Sequence, residues 1–103
     1  MESKDKFYNL LRIASKAGAI AEGYNKVENC IKNKKVFLVF ISKDLSLNSQ
    51  KKFRNYALKY KFDLVEDADL EEVGSFLGNT SLKVLGITND SFSTSLKSLY
   101  IKD

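Results

Sequence analysis

The 103-residue chain has no histidine, no proline and one cysteine, with only five glycines. Without histidine there is no Ser-His-Asp or Cys-His nucleophilic system, and no zinc site that needs an imidazole. A single thiol, Cys30, excludes all-thiolate zinc clusters and an internal disulfide, and fits a reducing compartment. The glycines form neither G-x-x-x-x-G-K-[ST] nor G-x-G-x-x-G, so P-loop and dinucleotide fingerprints are absent. Long apolar runs are also missing. The longest, Val36 to Ile41, falls far short of the ~20 residues needed to span a bilayer. The opening MESKDKF has no hydrophobic signal core. These absences predict a cytoplasmic protein with no metal, cofactor, small-molecule substrate or membrane partner. No repeat, low-complexity tract or linker divides the chain, so one domain over residues 1–103 is expected.

What is present is unevenly distributed charge. Residues 1–61 hold 14 Lys and Arg against 5 Asp and Glu, whereas residues 62–103 hold 3 against 8. The whole chain carries a formal +4. Such a split within one domain suggests a face built for a polyanion, although lysine is also an ordinary solubilising residue.

The apolar periodicity alternates between helix and strand. Phe7, Leu10, Leu11, Ala14 and Ala17 recur at helical spacing as far as Gly18, a suitable left-handed cap. Ala19 to Glu22 is short enough for a small strand. Gly23 permits a tight turn into a second helix with Val27, Cys30 and Ile31 inside, ending at Asn33 and Lys34. VFLVFI, Val36 to Ile41, is apolar at every position, so both faces of this strand should be covered. That requires helices on both sides of a sheet. Phe53, Tyr56, Ala57 and Tyr60 mark a third helix, and FDLVE, Phe62 to Glu66, a strand. Asp69 and Glu72 stand at capping-box spacing before a short helix that Gly78 ends. KVLGIT, Lys83 to Thr88, is another strand, and Asn89 or Asp90 caps a last helix. The order predicts an α/β fold, a three-layer α-β-α sandwich with a four-stranded mixed sheet. Helical crossovers favour parallel neighbours, with the first short strand free to be antiparallel.

Few residues offer chemistry. Glu66, Asp67, Asp69, Glu71 and Glu72 could hold Mg²⁺ or exchange protons, but a solvated helix start suits such a cluster better. Asp44 follows the buried strand, where a turn or cap role is as reasonable as ligand binding. Cys30 belongs to the inner stripe of the second helix. The segment EGYNKVENCIKNKK, Glu22 to Lys35, is different. Asn25, Asn29 and Lys32 fall on one helix face, with Lys26 and Asn33 beside them. Gly23 lets another backbone approach, and a helix start offers free N–H groups to an anion. Amides can meet base edges, and lysines phosphates. Two readings fit: a helix end made for a nucleic-acid groove, or an ordinary polar helix start that Gly23 merely turns.

GYNKVENCIKNKKVFLVFISKDLS resembles the signature segment of the kink-turn-binding ribosomal protein family (L-seven-Ae and its relatives). LLRIASKAGAIAEG upstream, and EEVGSFLGN followed by KVLGITNDSF downstream, extend the resemblance over about Phe7 to Leu99. It is closest in look to the family's bacterial YlxQ-like branch. The resemblance implies an α-β-α sandwich and RNA binding without catalysis. In the family, the helix opened by the glycine enters the widened major groove of a kinked RNA. Its Asn, Glu and Lys contact sheared G·A pairs, guanine and phosphate. Gly23 and Asn25 match that pattern. The Glu position is Lys26, which has only donors and cannot accept from a guanine amino group. The Lys position is Asn29, which can bond a base but carries no charge. These departures favour phosphate binding over base-specific kink-turn readout. The implied RNA surface is Gly23, Asn25, Lys26, Asn29, Lys32, Lys34 and Lys35, supported by Lys43. Its expected partner is structured RNA, ribosomal or ribosome-associated, with ribosomal proteins as further candidates. The alternative is a protein–protein module of a ribonucleoprotein that has lost sequence-specific RNA readout.

Overall fold

The apolar run after Lys35 folds, from Leu38 on, as a strand covered on both faces, and the other elements are arranged around it. The computed structural model describes residues 3–100; Met1 and Glu2 of the opening segment and residues 101–103 lie outside it. In chain order its elements are α1 (Ser3–Lys16), β1 (Ile20–Glu22), α2 (Tyr24–Lys32), β2 (Leu38–Ser42), α3 (Leu47–Tyr60), β3 (Asp63–Ala68), α4 (Leu70–Leu77), β4 (Val84–Ile87) and α5 (Asp90–Leu99). All five residues of β2 are buried. Leu38 and Phe40 enter a core shared with α1, α4 and α5, while Val39 and Ile41 enter a second core shared with α2 and α3. Because strand side chains alternate between faces, one apolar strand serves both cores. The result is the expected α/β sandwich of three layers around a four-stranded mixed sheet.

The strand order is β1-β4-β2-β3. Only β2 and β3 are parallel; β4 runs antiparallel to both β1 and β2. The preference for parallel neighbours therefore fails at β4, and α4 explains why. It has only eight residues, and its exit folds back on itself, with Asn79 N–H donating to Gly74 O at 2.7 Å. The chain is thus returned to the end of the sheet where β3 stopped, and β4 must start there. Strand bounds also shift. Val36 and Phe37 precede β2, and β3 continues past Glu66 to Ala68. Between Phe40↔Val65 and Ser42↔Ala68 the ladder takes up one extra residue on β3. Asp67 sits there with φ 58, a β-bulge on an edge strand that also carries Asp63 and Glu66.

Helix ends follow the side chains present. Ser46 accepts from Ser49 N–H at 3.2 Å at the start of α3, and Asn89 accepts from Phe92 N–H at 3.0 Å at the start of α5. The capping box expected at Asp69 and Glu72 does not form. The Asp69 side chain makes no cap hydrogen bond. Glu72 instead pairs with Lys4 of α1 at 3.0 Å, a partner 68 positions away that local spacing cannot reveal. Gly78 closes α4 with φ 77.

Gly74 carries a testable consequence. Helix propensity alone would favour alanine there by about 1 kcal/mol. A Cβ at Gly74, however, would lie 2.3 Å from the backbone oxygen of Asn79 and 3.2 Å from Leu82 Cβ. Overpacking of this kind costs about 1–3 kcal/mol, so the clash outweighs the propensity gain. Gly74→Ala is expected to lower the urea midpoint with the slope unchanged. A rise in the midpoint would contradict the close approach of α4 to the following loop.

Candidate nucleic-acid interface

The turn into α2 begins at the level of the sheet. Gly23 N–H donates to Val84 O at 2.9 Å, extending the β1–β4 ladder by one residue. Gly23 itself has φ 103 and ψ 154, a region that residues with a side chain rarely occupy. A Cβ there would meet nothing within 4 Å, so the backbone conformation, rather than lack of room, calls for glycine. The helix that follows has no side-chain cap and no acidic residue in its first turn. Its leading N–H groups therefore keep their donor capacity, together with the positive end of the helix dipole.

Packing fixes which face of α2 turns outward. Val27 and Ile31 are fully buried. Val27 lies against Gly86 of β4, whose missing side chain admits it; a Cβ there would be 3.3 Å from both Val27 methyl groups. Tyr24 stacks edge-on against Phe53 of α3, ring centroids 5.2 Å apart, and its hydroxyl meets Ser49 Oγ at 3.2 Å. Glu28, the one acid within α2, faces α3. There it accepts from Tyr56 Oη at 2.8 Å and pairs with Lys52. The Lys52 and Tyr56 hydrogen bonds hold its carboxyl below the usual range. This acid is already satisfied on the side away from the candidate surface. Asn25, Lys26, Asn29 and Lys32 are exposed. Asn33 donates to Asn29 O at 2.9 Å and to Asn29 Oδ1 at 3.4 Å, which leaves Asn29 its amide hydrogens to offer outward.

The candidate residues do not gather into one spot. Gly23, Asn25 and Lys26 stand at the tip of α2. Lys43 follows β2 at the same end of the sheet, since Ser42 N–H donates to Lys83 O while Gly23 is bonded to Val84. The spacing of two strands, about 10 Å, separates those backbones. Asn29 and Lys32 lie farther along α2. Lys34 and Lys35 lie past its far end, about 16 Å from Gly23 at 1.5 Å per residue. Among the described residues, Lys26, Lys32, Lys34, Lys35 and Lys43 form none of the ion pairs that engage Lys4, Lys52, Arg54, Lys83 and Lys97.

The structure adds Lys83, which sequence reasoning passed over, and brings in Asn79 of the Gly78 to Leu82 loop, which the family resemblance implies as a second contact loop. Lys83 stands beside Lys43 at the end of the sheet and pairs with Asp44 at 3.6 Å. Asn79, in the loop before β4, donates to Glu22 at 3.3 Å. Only the antiparallel placement of β4 brings these groups to the α2 tip, and that placement was not readable from local pattern. Glu22 and Asp44 temper the positive charge at the tip, so the unbalanced lysines lie along the side of α2 rather than at its point. The Gly78 to Leu82 loop presents polar Thr80 and Ser81, while Leu82 is buried.

Other candidates resolve differently. Cys30 is half-buried and packs at the margin of the α2–α3 core. It is not enclosed as expected, because α2 lies over the short edge strand β1. Glu66 pairs with Arg54, and Glu72 with Lys4. Among the described residues, no group of three His, Cys, Asp or Glu is placed to hold a metal ion. No described helix is long and apolar enough to cross a membrane.

The chain is 29% identical over 97 residues to the RNA-binding protein YlxQ of Enterococcus faecium, covering 94% of this chain and 93% of that one. A solved structure of a protein with unknown function from Bacillus halodurans superposes with a TM-score of 0.81 at 26% identity, over 91% of this chain and 95% of the other. The Giardia lamblia 15.5kD RNA binding protein shares the fold at a TM-score of 0.70 and 16% identity, over 96% and 85%. A model of the Ribosomal protein L7Ae/L30e/S12e/Gadd45 family matches residues 5–97. By sequence over nearly its full length, and in agreement with its architecture, the chain belongs to the ribosomal protein L7Ae/L30e/S12e/Gadd45 family.

Proposed function

We propose that this chain is a non-catalytic, cytoplasmic, single-domain binder of structured RNA, ribosomal or ribosome-associated. It would present the start of α2 and its lysine-bearing side to the RNA. The observation that carries the reading is the outward face of α2. An uncapped helix start, exposed amides at Asn25 and Asn29, and Lys26 and Lys32 outside the described ion pairs occur together in a family whose relatives include a protein named for RNA binding. Phosphate oxygens satisfy the helix N–H groups and the ammonium groups, while the amides meet base edges or sugars. Lys26 and Asn29 lack the acceptor and the charge that base-specific kink-turn readout would use. Shape and backbone contacts accordingly dominate over sequence.

Anisotropy titrations with a kink-turn RNA, a plain duplex and a single strand test this. Structured RNA is expected to bind most tightly. With about four phosphates neutralised, log affinity should fall against log salt with a slope of about −3 to −4. Micromolar or weaker binding to all three RNAs, unchanged by Lys26→Ala or Lys32→Ala, would defeat the proposal. The two departures at Lys26 and Asn29 also motivate a second reading, a protein–protein module within a ribonucleoprotein. Association with ribosomes that survives nuclease treatment would support it, and loss of association would exclude it.

A further inference from the structure

An open groove of about 650 Å³ runs beside α2, away from its tip, between the helix and the short edge strand β1. Lys26, Lys34 and Lys35 line it together with Ile20, Cys30 and Phe37, and no acidic residue does. Phe37 is 42% exposed, yet its backbone is held on both sides. Its N–H donates to Ile87 O at 2.9 Å, and its carbonyl accepts from Asp63 N–H at 3.1 Å. The sheet therefore fixes the root of an aromatic side chain that is left partly open to solvent. Lys34 is also fixed by the backbone. Its N–H donates to Ile31 O, and Lys35 N–H to Cys30 O. This double closure of a helix ordinarily places glycine where Lys34 stands with φ 58. A lysine stands at a backbone conformation that favours glycine, as Lys61 does at the end of α3, and it lines the groove.

We infer that this groove holds a single-stranded RNA segment flanking the structured element, with one base stacked on Phe37 and the adjoining phosphates on Lys34 and Lys35. The inference rests on the RNA-binding reading above and extends it, since Lys26 belongs to both surfaces. A ring with an open face accepts any base, and lysines around it track the backbone, which is how single strands are held without sequence preference. The cation-only rim suits a polyanion. A duplex buries its base faces within the stack and has none to offer the ring. Five nucleotides suffice to cover the length of α2 at about 3.4 Å per nucleotide of a helical strand.

The test uses the full chain and four probes: a blunt kink-turn hairpin, the same hairpin with a five-nucleotide single-stranded extension at its 5′ or its 3′ end, and the free pentanucleotide. The extension at one end or the other is expected to raise affinity at least about tenfold, combining one stacked base with two phosphate contacts. Phe37→Ala and Lys34→Gly should each remove about fivefold or more of that gain, while the affinity of Phe37→Ala for the blunt hairpin stays within about twofold. Lys34→Gly relieves the left-handed backbone position, so misfolding cannot account for a loss in that variant. An extension that adds nothing at either end, a gain that survives both variants, or a gain undiminished after a complementary strand is annealed to the extension would each overturn the inference. So would a nuclease-resistant association abolished by Phe37→Ala, which would assign the groove to a protein. If the blunt hairpin fails to bind while the pentanucleotide binds in a Phe37-dependent way, the reading of the α2 tip falls and the groove stands. If the hairpin binds and the extension is ignored, the groove alone falls.

Discussion

Structured RNA is expected to bind a chain carrying both Lys26→Ala and Lys32→Ala about sixtyfold more weakly at 0.1 M salt than it binds the unaltered chain. The magnitude follows from counterion release. Each neutralised phosphate contributes about −0.9 to the slope of log affinity on log salt, so each is worth about eightfold at 0.1 M, and two multiply. The slope itself should flatten by about 1.8, and the two proteins should converge as salt approaches 1 M. Both lysines are exposed and form no described ion pair. Their removal should therefore leave folding stability within about 0.5 kcal/mol. Anisotropy across a salt series, alongside a urea melt, separates binding from folding. An affinity that falls by less than twofold, or a slope that does not move, would mean that these ammonium groups do not touch phosphate.

The second large effect concerns folding. Phe53→Ala should cost about 3–5 kcal/mol, a large part of the ~5–15 kcal/mol that holds a domain together. Phe53 is fully buried on the inner face of α3. Its ring meets Tyr24 at 5.2 Å and Tyr56 at 5.9 Å, both edge-on. It is thus the central contact between α3 and the first residue of α2. Truncation leaves a cavity and removes the side chain against which Tyr24 is set, so the helix start loses its support as well. Denaturant unfolding measures the loss. A value below about 1 kcal/mol would mean that this layer repacks freely and that the position of α2 does not depend on Phe53.

The sequence was most readable where a segment depends on its own residues. Leu38 to Ile41 is buried on both faces because every residue there is apolar. The limits of α2 follow from Gly23 at one end and Asn33 at the other, both local backbone signals. Readability ended where the partner lies far along the chain. The antiparallel direction of β4 follows from the fold-back after α4, where the Asn79 N–H bonds back to the Gly74 carbonyl. Glu72 had a plausible local role as a cap and took a distant one with Lys4. Lys83 comes to the α2 tip only through the pairing of β4 with β2. The groove beside Phe37 arises because β1 is three residues long and leaves the side of α2 uncovered. No residue pattern within either segment announces that gap.

The bulge at Asp67 has a bearing on how the molecule behaves in crowded solution. An uncovered outer strand invites a neighbouring copy to add its own strand, the first step toward insoluble aggregates. Here the outer strand on one side carries Asp63, Glu66 and Asp67 and is bent by its extra residue, while the strand on the other side is only three residues long. An incoming chain finds either charge on a distorted ladder or too few free hydrogen-bonding groups, so intermolecular sheet growth is discouraged at both margins.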